Sequence, residues 1–217
     1  MGDVYLVRHG QAQTGATDEA GYDRLSPLGH QQAEWLGAYL RETSDKFDRV
    51  ICGGMRRQRE TAEGLDLGPE IETDPRFKEI DYFTLAREME TRHDLAFPMS
   101  AEAFAAHVPP TFEAWQSGEL IDAPESFSFF EDRIRQSLFD LAQSEERVLV
   151  VTSGGPIAMA MRILLDLGLV PMTRMLLATR NTSVHKVIRG GSRLHLSQFG
   201  AVPHLEHPDR AHARTYG

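Results

Sequence analysis

The chain carries one cysteine, Cys52, in 217 residues. No disulfide can form within it, which fits a reducing compartment. No apolar run approaches the length needed to span a bilayer. The N-terminus has no charged-then-apolar signal pattern, and the Met-Gly start has Leu6 where myristoylation wants a hydroxyl residue. The expectation is a soluble, cytoplasmic protein with no membrane partner. Positive charge is also scarce, with 23 Lys and Arg against 32 Asp and Glu and a net charge of −9. That balance argues against nucleic acid as a partner, since neutralising phosphates along a strand takes clustered cations. It leaves open a small anion, which responds only to the local field. There is no internal repeat and no low-complexity tract.

At 24.4 kDa the chain is long enough for one sizeable core. Val4-Tyr5-Leu6-Val7 runs into Arg8-His9-Gly10. A short apolar run stopped by glycine reads as a buried strand, and its C-terminal end is where open α/β sheets bind ligands. Residues 11–25 form a polar loop. Ser26-Pro27 starts a helix, with Ser26 as N-cap and Pro27 in the first turn, and Leu28, Trp35, Leu36, Tyr39 and Leu40 give it an apolar face. A second strand covers Asp48–Cys52, and a polar helix runs from Arg56 to Leu67, ended by Gly68-Pro69. A brief strand near Ile71 follows. From Asp74 to Glu125 the pattern loosens into helical pieces at Thr84–Arg92 and Ala101–Trp115, punctuated by prolines 98, 109, 110 and 124. Phe127, Phe130, Ile134, Leu138 and Leu141 share a helical face for the core. "RVLVVT", Arg147–Thr152, is a strand ending at Ser153-Gly154-Gly155-Pro156, with a helix over Ile157–Asp166. Strands at Ser183–Ile188 and Arg193–Phe199 flank the hairpin signal Gly190-Gly191, and the tail after Pro203 reads as polar and poorly ordered. Strands alternating with helices predict an α/β layered fold.

Three strand ends carry chemistry. Arg8 and His9 stand at the first, and Ser153 at the end of "RVLVVT". Arg57 lies past the second, in "RRQRETAE". Cations at a helix start run against the dipole and make sense where an anion sits, although Glu60 and Glu63 allow a plain solvated face. Read from their types alone, His204, His207 and His212 are either a metal site or unrelated. Phe104, Phe112 and Trp115 are either a lid or packing, and Cys52 is a small buried hydrophobe. "TSGG" lacks the G-x-S-x-G elbow, so Ser153 is no serine nucleophile.

Taken together, the motifs resemble the histidine phosphatase superfamily, the phosphoglycerate mutase-like proteins. The matches are collinear: Arg8-His9-Gly10, then "LSPLGHQQA" (Leu25–Ala33), Arg57 four residues before Thr61-Ala62, Glu79 in "FKEIDYF", and Asn181 and Ser183 in an "N-x-S" phrase. The resemblance implies one domain over residues 1–217, a three-layer α/β/α sandwich around a mainly parallel sheet, with a helical insertion at about 74–125 over the site. It implies hydrolysis of a small phosphomonoester through a phosphohistidine at His9. Arg8 and Arg57 would bind the phosphoryl group, and Glu79 would protonate the leaving oxygen if its pKa is raised. Gln11, Ser153 and Gly154 would complete the substrate contacts. The expected partner is a phosphorylated small molecule or inorganic phosphate, with neither metal nor cofactor; a homodimer is compatible with it.

The sequence departs from the family pattern at "VVTSGGPI", where Ser153 stands in place of the second histidine. A hydroxyl donor remains and an imidazole is lost, so turnover is expected to be slow. The alternative is a phosphate-binding or regulatory pseudo-enzyme. A mutase is a third reading, disfavoured because "QAQTGATDEAGYDRL" lacks the mutase phrase with Trp-Asn and Phe-Thr-Gly-Trp, and because Ala12 replaces the usual hydroxyl residue.

Overall fold

In the strand Asp3–Arg8 successive side chains face opposite ways, and this alternation sorts the molecule into layers. A computed structural model of the chain describes residues 2–13, 18–43, 46–191 and 193–216. Expectations for residues 14–17 of the first polar loop lie outside that range. In chain order the elements are β1 (Asp3–Arg8), α1 (Glu19–Tyr22), α2 (Pro27–Thr43), β2 (Arg49–Cys52), α3 (Arg56–Leu65), β3 (Ile71–Thr73), α4 (Tyr82–His93), α5 (Ala101–Ser117), α6 (Phe127–Gln143), β4 (Val148–Thr152), α7 (Gly154–Leu165), α8 (Leu169–Ala178), β5 (Val184–Gly190) and β6 (Arg193–Ala201). Short 3₁₀ turns cover Pro75–Phe77, Pro203–Leu205 and Pro208–Ala213.

The strands form one mixed sheet in the order β3-β2-β4-β1-β5-β6. The pairs β1–β4, β2–β4 and β2–β3 are parallel, and β5 and β6 add antiparallel strands at one edge. Val4 pairs with Val148 and Leu6 with Val150, and all four turn to the face covered by α6 and α7, where Phe130, Ile134, Leu138 and Ile157 are buried. Val7, Val50, Cys52, Leu149 and Val151 turn to the other face, against Leu36 and Leu40 of α2 and Leu65 of α3. The result is the three-layer α/β/α sandwich the sequence implies. Among the described residues no helix is long and apolar enough to cross a membrane.

Four local expectations are corrected. The helix α3 stops at Leu65 rather than Leu67, because Asp66 takes the left-handed conformation (φ 48°) before Gly68-Pro69 is reached. Pro109 and Pro110 do not punctuate α5 but lie inside it; burial of Val108, Phe112 and Trp115 along the same helix outweighs the lost hydrogen bonds. The helix α8 has no counterpart in the sequence reading, and its Pro171 sits in the first turn, where no N–H is needed. The tail after Pro203 is ordered. Val202, Leu205 and Ala213 are buried against Leu28 and Trp35, and the Gln32 side-chain amide of α2 donates to the Ala213 carbonyl at 2.7 Å. The outer edge of α2 carries apolar side chains that the sheet does not cover, and the tail covers them.

Leu205 is fully buried in this third cluster. Leu205→Ala is expected to lower unfolding stability by about 2–4 kcal/mol, read as a lower urea midpoint. An unchanged midpoint would mean the tail contributes no packing.

Candidate active site

The C-terminal ends of the parallel strands β1, β2 and β4 share one edge of the sheet. The start of β5 joins that edge because β5 runs antiparallel. Arg8, His9, Arg57, Glu79, Ser153, Gly154 and Asn181 all lie at or just beyond it.

His9 follows β1 and is 2% exposed. Its Nδ1 lies 2.7 Å from the Gly10 carbonyl oxygen. A carbonyl can only accept, so Nδ1 carries the proton and Nε2 presents a lone pair. The Nε–H of Arg57 donates to that Nε2 at 3.3 Å. Burial, then the charges of Arg57 and Arg8, hold the imidazole pKa well below its ordinary value. The backbone is fixed as firmly. The His9 N–H donates to the Thr152 carbonyl, Thr182 N–H to the Arg8 and His9 carbonyls at 3.1 and 3.3 Å, and the Asn181 side-chain amide to the His9 carbonyl at 3.2 Å.

Arg57 is buried in the first turn of α3 beneath His9. Met55 at the N-cap offers no side-chain cap. The Asp23 carboxylate supplies it from the segment between α1 and α2, accepting from the backbone N–H groups of Arg56 (3.0 Å) and Arg57 (3.1 Å) and from Arg57 Nη1 (3.2 Å). Tyr22 lays its ring 4.9 Å from the same guanidinium. Arg8 is 8% exposed. One Nη of Arg8 donates to the Thr179 carbonyl, and its Nε–H, buried at the cavity floor, has no hydrogen-bond partner.

Glu79 arrives from the segment after β3. That segment is held by Arg133 of α6, which donates to the Arg76 and Lys78 carbonyls at 2.5 and 2.9 Å, and by Thr152 Oγ1, which donates to the Phe77 carbonyl at 2.7 Å. The Glu79 carboxyl accepts from Gly155 N–H at the start of α7 (3.1 Å) and from Ile80 N–H (3.0 Å). A Cβ at Gly155 would stand 2.2 Å from Glu79 Oε1, so a side chain there would push the carboxyl out of this position. Burial raises its pKa, against the pull of the Gly155 N–H and the Arg57 charge.

Ser153 is fully buried behind this wall. Its Oγ accepts from Gln58 Nε2 at 2.9 Å, and neither side chain lines the cavity. Gly154 and Gly155 do line the cavity. Gln11 does not: its side-chain oxygen accepts from the Ser26 hydroxyl at 2.8 Å, and Gln13 lines the opening instead. His204 is buried and bonded to Thr182 Oγ1 at 2.8 Å, whereas His207 is exposed. Among the described residues no three His, Cys, Asp or Glu side chains are grouped to hold a metal. Trp115 is core, its indole N–H on the Glu125 carbonyl, while Phe104 and Phe112 line the cavity. Gln58, Asp23 and Arg133 went unread in the sequence. A hint existed for Asp23, since a helix start with Met55 before it needs an acceptor from elsewhere.

A cavity of about 490 Å³ opens over Arg8, His9 and Glu79. It is within the size range of small-molecule sites. A neutral imidazole, the Arg8 guanidinium, a carboxyl whose pKa burial raises and a helix start meet at its floor, with the Arg57 guanidinium buried against the imidazole. Together they can receive an anion, attack it and deliver a proton.

The chain is similar to known proteins. The chain is 29% identical to Probable phosphoglycerate mutase GpmB of Salmonella choleraesuis (strain SC-B67) over 221 residues, covering 96% of this chain and 97% of that protein. It is 30% identical to the mitochondrial serine/threonine-protein phosphatase PGAM5 of Xenopus tropicalis over 122 residues, which is 55% of this chain and 38% of that one. The chain thus spans well under half of the length of that phosphatase. Among solved structures, phosphoserine phosphatase of Entamoeba histolytica in complex with phosphoserine superposes with a TM-score of 0.70 at 19% identity, covering 94% of this chain and 100% of that one. The alpha-ribazole phosphatase of Shigella flexneri gives 0.66 at 18% identity, over 92% and 96% of the two chains. At these identities the likeness is one of fold. The family profile matches residues 4–201, and the chain therefore belongs to the histidine phosphatase superfamily, branch 1.

Proposed function

We propose that the protein is a phosphomonoesterase working through a phosphohistidine at His9. The observation that carries this reading is the buried Nε–H of Arg8, left without a partner at the cavity floor beside a histidine whose Nε2 lone pair is free of protons. A buried guanidinium donor left unpaired is costly, and an anion would satisfy it.

In this mechanism the phosphoryl oxygens are received by Arg8, by Arg57 turning from His9 Nε2, and by the N–H groups at the start of α7. Nε2 attacks phosphorus and forms the P–N bond. The P–O bond to the alcohol breaks, its electron pair stays on the alcohol oxygen, and Glu79 supplies the proton. Water then attacks the phosphohistidine and gives its proton to the Glu79 carboxylate. The P–N bond breaks with its pair returning to Nε2, so histidine and acid are regenerated. The charge that builds on the equatorial oxygens is met by preorganised donors. The catalytic group is thus His9, Glu79, Arg8 and Arg57 within one domain, with segment 74–125 inserted over the site.

Ser153, in the place where the family carries its second histidine, leaves the phosphoryl group without that donor in this reading, because its hydroxyl is buried behind the cavity. Gln58 holds Ser153 Oγ by donating to it, which leaves the hydroxyl proton for an acceptor of its own. The burial of Ser153 favours one rival, a phosphate-binding pseudo-enzyme that keeps the arginines and turns over little.

Brief exposure to a labelled phosphomonoester is expected to leave an acid-labile, base-stable label on the protein. His9→Ala should abolish the label and lower turnover by about a thousandfold or more. Turnover surviving in His9→Ala would end the mechanism.

The pH profile follows from the two shifted groups. His9, held below its ordinary value, is neutral down into the acid range. Glu79, held above its ordinary value, keeps its proton to higher pH than a free carboxyl. Activity therefore rises as His9 deprotonates and falls on the alkaline side as Glu79 ionises. Glu79→Gln should remove the alkaline fall and lower kcat on alkyl phosphates by about 10²- to 10⁴-fold. A fall that persists in this variant would belong to another group.

Ser153→His is expected to raise kcat by up to about a hundredfold, the usual worth of one such donor, with little change in KM. An unchanged or lower kcat in a folded variant would mean the Gln58–Ser153 pair already does that work.

A further inference from the structure

The floor of the cavity is charged and its walls are not. Phe83 and Tyr82 at the start of α4, Phe97 and Met99 between α4 and α5, Phe104 of α5 and Leu176 of α8 line the cavity. Phe83 and Phe97 stack with ring centroids 5.9 Å apart, and Tyr82 meets Phe104 edge-on at 5.0 Å. The polar tips on this wall are already occupied. Tyr82 Oη pairs with His107 Nδ1 at 2.7 Å, Ser100 Oγ caps α5, and Tyr216 Oη accepts from Arg180 Nε at 3.0 Å. What these residues turn to the cavity is hydrocarbon.

Charge sharpens the point. Among the described residues lining the cavity, Arg8 carries the one guanidinium or ammonium group, and it sits at the floor. A substrate alcohol bearing a carboxylate or ammonium would lay that charge against phenylalanine and leucine, with no counter-ion on the wall, which is costly. A three-carbon acid would also leave most of the 490 Å³ unfilled. An apolar moiety, by contrast, would exchange water for the aromatic wall.

We propose, resting on the phosphomonoesterase reading above, that this site takes phosphate monoesters of uncharged, apolar alcohols. The phosphoryl group would sit on the floor, and an aryl or alkyl moiety would lie against the Phe83–Phe97 stack and Leu176. Specificity comes from the wall.

The test is a chain-length series of ethyl, butyl and hexyl phosphate with 3-phenylpropyl phosphate, set against 3-phosphoglycerate and O-phosphoserine. The alkyl leaving groups are alike in acidity, so differences report the moiety. kcat/KM should rise by about fourfold per buried methylene until the cavity is filled, and hexyl phosphate should exceed the two charged substrates by about a hundredfold or more. Phe97→Arg, and separately Met99→Arg at a position 82% exposed where folding is not at stake, should narrow that gap by installing a cation on the wall. A flat series, or a preference for 3-phosphoglycerate, overturns the inference while leaving the phosphatase reading standing. Should no monoester turn over, the phosphatase reading fails instead. Calorimetry with hexylphosphonate and methylphosphonate then decides the inference alone: tighter binding of the hexyl compound supports it, and equal binding overturns it.

Discussion

The hydrogen bond from His9 Nδ1 to the carbonyl of its own neighbour, Gly10, governs the site. It selects one tautomer, sets the ring plane, and leaves Nε2 as a lone pair facing Arg57. Everything around it keeps that geometry. Gly10 is packed so tightly against the start of α2 that a Cβ would fall 2.4 Å from the Gly29 carbonyl oxygen. Its N–H is taken by Thr61 Oγ1, whose own proton goes to the Arg57 carbonyl. The histidine and the arginine beneath it are therefore tied through Thr61 of α3 as well as directly. Two guanidiniums around the ring make a neutral imidazole cheaper than a charged one, and a neutral imidazole is the form with an electron pair to give.

The same electrostatic setting pushes Glu79 the other way. Its carboxyl lies at the start of α7, where N–H groups favour negative charge, and near both arginines, yet burial dominates and raises its pKa. A base and an acid with displaced titrations sit on one floor, each displaced chiefly by loss of water and then adjusted by the same cations. The site tolerates so much buried polarity because nearly every group is paired; Arg8 Nε is the exception.

Much of this could be read in the sequence where it depends on local pattern. Apolar runs cut off by Arg8-His9-Gly10 and by Ser153-Gly154-Gly155 mark strand ends, because a buried strand must be continuous and its exit must turn. Ser26-Pro27 marks a helix start for equally local reasons, and Ser26 Oγ does accept from Gly29 N–H. What could not be read depends on the fold as a whole. Asp23 caps α3 from a loop far off in sequence, and Gln58 matters through what lies across from it. Leu205 and Ala213 pack because α2 has a side the sheet leaves bare. The burial of Ser153 likewise follows from how α3 and the Phe77 segment close over β4. The insertion was readable as helices, but not as a split between Trp115 in the core and Phe104 at the cavity.

The cradle around Arg8 and His9 has a consequence for the order in which the molecule is made. His9 leaves the ribosome well before the residues that hold it. Thr179, which binds the Arg8 guanidinium, lies 171 positions later, and Asn181, which steadies the His9 carbonyl, 172 positions later. Such contacts form only after a long loop has closed. Until those residues are made, His9 and Arg8 lack these contacts and the low-dielectric surroundings they create. An unfinished chain thus carries an ordinary, solvated histidine, and its imidazole meets its buried surroundings only when β5 docks beside β1.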